Sequence, residues 1–323
     1  MVNESPPLLP SRAHRPIVDN NQMESFLSRR RAYLILAVLW APGLIWLGAV
    51  WVRTLRPLPP MPLPAGRVTT WSDTEWSHIP ADGERCILAN NVWNKQAATY
   101  DFQQEVFQED LNGKPTLGWR WRAPWQMWPS IAAYPEIICG NKPWDEPIGH
   151  FEGMPFHPGK ARLSADYNIH LQAAGTWNLA FSVWAVSALP GAPGNIRTEV
   201  MIWIANNQQQ PSGIRRGTLQ VDGVIYDIFI NEHQHDASGT NKNEWTYVAF
   251  VARTPVLRGP LDISAFLDAL APQNIIAPDL WITDVELGNE VAEGAGMAEV
   301  QDFQVHLTVP TPQDQPLAES GQL

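Results

Sequence analysis

The segment Thr198–Ala205, TEVMIWIA, decides the fold. It alternates with period two, so in a strand Glu199, Met201 and Trp203 share one face while Val200, Ile202 and Ile204 share the other. The second face is wholly aliphatic and belongs in a core. The first sets a carboxylate, a thioether and an indole in a row, a combination suited to the wall of a binding cleft. A solvent-exposed Glu has the same spacing, so a role for Glu199 needs support from elsewhere in the chain.

Working outward, the same alternation recurs in GTWNLAFSVWAV (175–186), GVIYDIFIN (223–231), EWTYVAFVA (244–252), DLWITDVEL (279–287) and FQVHLTV (303–309). Gly, Pro and Asn clusters separate these runs. Only LDISAFLDAL, Leu261–Leu270, has helical character, with Asp262 or Ser264 placed to cap its start. Many strands and one short helix predict an all-β antiparallel sandwich of jelly-roll, concanavalin-like type over about residues 70–310.

Composition narrows the partners. Against 22 Lys and Arg stand 33 Asp and Glu, a net charge of −11 that repels nucleic acid and anionic lipid surfaces. The 16 Trp exceed what a core absorbs easily, because each buried indole N–H needs a partner. Flat indoles at a surface suit the faces of sugar rings. The two cysteines, Cys86 and Cys139, cannot supply a disulfide framework or a four-ligand zinc site, although one disulfide outside the cytosol is open to them.

The N-terminus has its own organisation. Residues 1–31 are polar, hold Arg12, Arg15, Arg29, Arg30 and Arg31, and are expected to be a disordered cytoplasmic tail. Residues 32–52, AYLILAVLWAPGLIWLGAVWV, carry no charge and are long enough for a single transmembrane helix. The Arg bias places the tail inside and exports the remainder, periplasmic or extracellular. Cleavage near Ala49 would instead release a secreted protein. The Pro-rich linker in 53–69 is expected to be a stiff spacer, and 311–323 a disordered tail.

In Leu280–Glu290, LWITDVELGNE, alternation puts Asp284, Glu286, Gly288 and Glu290 on one face. Like charges stacked on a strand repel unless solvated or functional, and for Asp284 and Glu286 a solvated edge is the simpler expectation. Hydrolysis of a glycosidic bond needs two carboxyl groups flanking it, and two strands of one concave sheet could present them.

These motifs resemble glycoside hydrolase family 12, the small jelly-roll endoglucanases, over most of 84–308. NNVWN (90–94), GWRWRAP (118–124), YPEI (134–137), EVMIW (199–203) and GNEVAEGAG (288–296) carry the resemblance. It implies a retaining endo-β-1,4-glucanase acting on cellulose, mixed-linkage glucan or xyloglucan, with Glu199 as nucleophile and Glu290 as acid/base, 91 residues later (290 − 199). Asn91, Trp93, Trp121, Asn178, Ser182, Met201 and Trp203 are the implied substrate-binding residues. No cofactor or metal is expected, and the enzyme is expected to be monomeric.

Two departures stand out. The family's Asp on the preceding strand, which contacts the nucleophile, is Ser182 here, and the last Gly of the early motif is Asn94. Without that neighbouring carboxyl, activity should lie at more neutral pH or be reduced. The rivals are a non-catalytic glucan-binding protein, a structural envelope protein, and a metal site at His233 and His235. The segment around these histidines, EHQHDASGTNKNE, has the character of a polar loop.

Overall fold

The computed structural model describes residues 38, 40–49, 51–52, 56–81, 83, 85–95, 101–126, 129–144 and 151–309. The chain divides into two units, Met1–Arg53 and Thr54–Leu323. In the first, residues 40–49 are helical and exposed. Among the described residues no helix is long and apolar enough to cross a membrane. Residues 32–37, 39 and 50 of the expected span, and both expected tails, lie outside the described residues.

The second unit is all β apart from short helical turns. Its strands begin with β1 (Arg67–Ser72), β2 (His78–Ala81), β3 (Cys86–Ala89), β4 (Gln103–Leu111) and β5 (Lys114–Ala123). They continue with β6 (Glu136–Gly140), β7 (Arg162–Val186), β8 (Ile196–Asn207), β9 (Ile214–Val221) and β10 (Val224–His235). The last are β11 (Glu244–Ala252), β12 (Arg258–Asp262), β13 (Trp281–Ile282), β14 (Asp284–Gly288) and β15 (Val291–Thr308). Helix α1 (Ile263–Leu270) is capped by Asp262, whose side chain accepts from Ala265 N, and it buries Phe266, Leu267 and Leu270.

The long strand β7 belongs to two layers. Its first half pairs with β15 and β12, and through β15 with β5, β4 and β1. Its second half pairs with β8 on one side and β14 on the other, extending to β11–β10–β9 and to β6–β3–β2. The turn between layers falls where Gly175 and Gly294 face each other across the β7–β15 ladder, at φ of 102° and 101°. A Cβ on Gly294 would sit 2.0 Å from Ala174 O, so no larger residue fits this crossing.

The predicted faces of β8 hold. Val200, Ile202 and Ile204 enter the main core with Trp119, Phe181, Phe250 and Leu287, while Met201 and Trp203 pack in a second cluster on the opposite face. The all-antiparallel expectation needs one correction, because β11 runs parallel to β8, pairing Tyr247 with Glu199. A second correction concerns His233 and His235, which lie within strand β10 and not in a loop. Cys86 and Cys139 are directly opposite on β3 and β6 and form a disulfide with a Cα separation of 4.3 Å.

Residues of the expected spacer lie against the sheet. Arg120 Nη1 donates to Pro62 O at 3.0 Å, Glu299 Oε1 accepts from Ala65 N at 2.8 Å, and the Arg56 guanidinium sits 5.6 Å from the Trp125 ring centroid. Strand β1 begins inside that stretch, at Arg67.

Candidate active site

Glu199 projects from β8 on the face away from the core and is half-buried. Its Oε2 accepts a hydrogen bond from Trp245 Nε1 at 2.8 Å. Trp245 opens β11, and the parallel register of β11 on β8 brings that indole beside the carboxyl. Burial pushes the Glu199 pKa up to about 8; the Trp245 N–H opposes the rise, while the charges of Glu290 and Glu286 add to it.

Glu290 lies in the connection between β14 and β15, also half-buried. Asn178 grips it at two points: Nδ2 donates to Glu290 Oε2, and Oδ1 accepts from Glu290 N at 2.9 Å. Beneath, Trp119 Nε1 donates to Asn289 Oδ1 at 2.6 Å, anchoring the adjacent residue. Burial raises the Glu290 pKa to about 7 against the Asn178 hydrogen bond. The Glu290 charge acts on Glu199, and both carboxyls favour the protonated form more than a free Glu.

Asp284 and Glu286 correct the solvated-edge expectation. Both are fully buried, at 0% and 1% exposure. Alternation identified their face correctly, but the segments around β6 cover it. Lys142 Nζ lies 2.9 Å from Glu136 Oε1 and 2.9 Å from Glu286 Oε1, and Asp284 Oδ1 accepts from Trp184 N at 3.0 Å. Burial, then the neighbouring charge of Glu286, holds the carboxyls of Glu136 and Asp284 well above the usual range. For Lys142, the attraction of Glu136 and Glu286 outweighs burial and keeps the ammonium charged.

The structure sorts the remaining expected site residues. Trp93 is half-buried against Tyr134, Met201, Trp203 and Tyr247, at the edge of the site. Met201 and Trp203 lie on the expected face but are only 2% and 1% exposed, so they support the site from below and present no open platform. Trp121 is a clear correction: it is 0% exposed in the main core, because alternation along β5 turns it inward with Trp119. Asn178 is committed to Glu290, and Asn91 Nδ2 donates to Glu136 Oε1 at 2.7 Å, so both position carboxyls. Ser182 is buried, opposite Met201 on one side and Glu286 on the other.

Three residues escaped the sequence reading. Trp245 and Lys142 reach the site only through strand pairing, which no local pattern reveals. Trp76 is 44% exposed, has a φ of 64°, and is tied through its N–H to Asn90 O at 2.8 Å, beside the NNVWN motif. Its aromatic type was the one available signal. Among the described residues, no group of three or more His, Cys, Asp or Glu could hold a metal ion.

Fold and site define a class, an all-β sandwich presenting a half-buried carboxyl pair of the kind glycoside hydrolysis uses. Residues 157–308, which include both carboxyls, match the family model described as Glycosyl hydrolase family 12. The fold is that of solved members. A family 12 xyloglucanase from Bacillus licheniformis is 21% identical with a TM-score of 0.66, covering 74% of this chain and 100% of its own. A metagenome-derived family 12 endoglucanase is 24% identical with a TM-score of 0.60, covering 75% and 98%. Endoglucanase cel12A from Rhodothermus marinus is 24% identical with a TM-score of 0.57, covering 75% and 100%. No curated protein sequence matches the chain.

Proposed function

We propose that this protein is a retaining endo-acting glycoside hydrolase of family 12 that cleaves β-1,4-glucosidic bonds in glucans. The observation that carries the reading is the pair Glu199 and Glu290, two half-buried carboxyls that burial holds above the usual range and that, among the described residues, form no ion pair. Glu290 protonates the leaving oxygen while Glu199 attacks the anomeric carbon, forming a glycosyl-enzyme. Glu290, now ionised, takes a proton from water, which displaces Glu199 and releases the sugar. Asn178 holds Glu290 in orientation for both steps, and the Trp245 N–H stabilises Glu199 when it leaves as carboxylate.

Reducing-end release from carboxymethylcellulose, barley β-glucan and xyloglucan, with the full chain and its Glu199→Gln variant, tests the reading. Activity lost in the variant supports it. Binding to these glucans without cleavage by the wild type transfers the conclusion to the glucan-binding reading.

The catalytic unit is also proposed to lie outside the cytoplasm, anchored through residues 32–52. The uncharged run supports this, as does the Cys86–Cys139 disulfide, since such bonds persist in oxidising compartments. Fractionation of a C-terminally tagged chain checks it, and a shortened soluble product contradicts the anchor.

A further inference from the structure

Position 182 is where the resembling family has a carboxyl touching the nucleophile, and here it is Ser182. The ladder nevertheless supplies a carboxyl one strand further on. Glu286 of β14 is the direct cross-strand partner of Ser182, and Ser182 is the partner of Met201, two residues from Glu199 on the same face. Glu286 is in turn bound to Lys142, which also binds Glu136. Among the described residues, Lys142 is the only buried Lys or Arg.

We propose that Lys142 is a positioning residue for the nucleophile: its single ammonium, clamped between Glu136 and Glu286, cancels the negative charge stored behind Ser182 and so lets Glu199 ionise. The inference rests on Glu199 being the nucleophile. The titratable and charged groups around Glu199 are Glu290 after β14, Glu286 on β14, Lys142 after β6, Tyr134 ahead of β6 and Tyr247 on β11, and Glu286 in turn faces Glu136 and Asp284. Among these groups Lys142 is the cationic one, and it acts beside the Trp245 N–H against the burial and the carboxylate charges that keep a proton on Glu199. Consistent with this, Lys142 favours the ionised form of Glu199 and Glu286 opposes it. The ammonium also lies 5.0 Å from the Trp144 ring centroid and 5.8 Å from that of Tyr134, which leaves it little freedom to turn away.

The experiment is a pH profile of kcat/KM for wild type, Lys142→Met, Glu286→Gln and the double variant. The limb that reports ionisation of Glu199 should move up by about one pH unit in Lys142→Met and down in Glu286→Gln. It should return toward wild type in the double variant, a compensation that a merely structural lysine would not give. In parallel, the fluorescence of Trp245, calibrated with Trp245→Phe, titrates Glu199 without requiring turnover. If hydrolysis is absent yet this titration shifts as described, the proposed function fails and the charge relation stands. Unshifted limbs and titrations in folded Lys142→Met overturn the inference. Should Lys142→Met not fold, Glu286→Gln decides: a downward shift supports it, and an unchanged or upward-shifted limb overturns it.

Discussion

Two acidic groups lie side by side on this sandwich and obey opposite rules. Glu136, Asp284 and Glu286 are fully buried, gathered around one lysine and fixed by Asn91 and a backbone N–H. Glu199 and Glu290 are half-buried, receive one neutral side-chain donor each and, among the described residues, form no ion pair. The difference is between charge that the fold neutralises and charge that the fold leaves available. Carboxyl chemistry is identical in both groups, so surroundings alone separate a structural acid from a reactive one.

The comparison breaks most visibly in activity. Glu199→Gln and Glu290→Gln should each lower kcat by at least about 10²-fold while leaving the chain folded. Glu136→Gln should reduce activity far less, measured with the same glucans. Stability should show the reverse order. Lys142→Met strands two buried carboxyls and should destabilise by about 3–5 kcal/mol in a urea titration. Replacing Glu199 should not destabilise at all.

Smaller effects sharpen the contrast. The Cys86–Cys139 bond ties β3 to β6, the strand that carries Glu136 and leads to Lys142. Removing it with a Cys86→Ala/Cys139→Ala pair should cost about 2–4 kcal/mol, with activity per folded molecule retained. The last effect depends on pH. The unfolded Glu199 carboxyl ionises near pH 4.3, whereas the folded one holds its proton to about pH 8. Wild-type stability therefore falls as pH rises between these values, because only the unfolded chain releases the proton there. Glu199→Gln should thus equal wild type in stability at pH 4 and become progressively more stable than it as pH rises to 8, measured as paired melting curves.

How much of this was legible beforehand follows from what local sequence encodes. The two faces of β8 and the cap of α1 by Asp262 come from alternation and capping chemistry, and short motifs single out Glu199 and Glu290 as candidates, all local. What covers a face is not local. Asp284 and Glu286 were placed on the correct side of β14, yet their burial depends on Lys142 and Tyr134 arriving from around β6. Trp245 reaches Glu199 only because β11 lies parallel to β8, a register no hairpin rule suggests. Trp121 enters the core for a related reason, since a Trp in an alternating strand serves a core as well as a cleft.

The most direct test of the central claim is to trap the proposed glycosyl-enzyme. Incubation with an activated 2-deoxy-2-fluoro cello-oligosaccharide, followed by peptide mass spectrometry, should find one glycosyl adduct, on the carboxyl of Glu199 within EVMIW. The adduct should be absent from Glu199→Gln. Turnover of glucan with inverted anomeric product and no adduct, or an adduct on another carboxyl, would contradict the account.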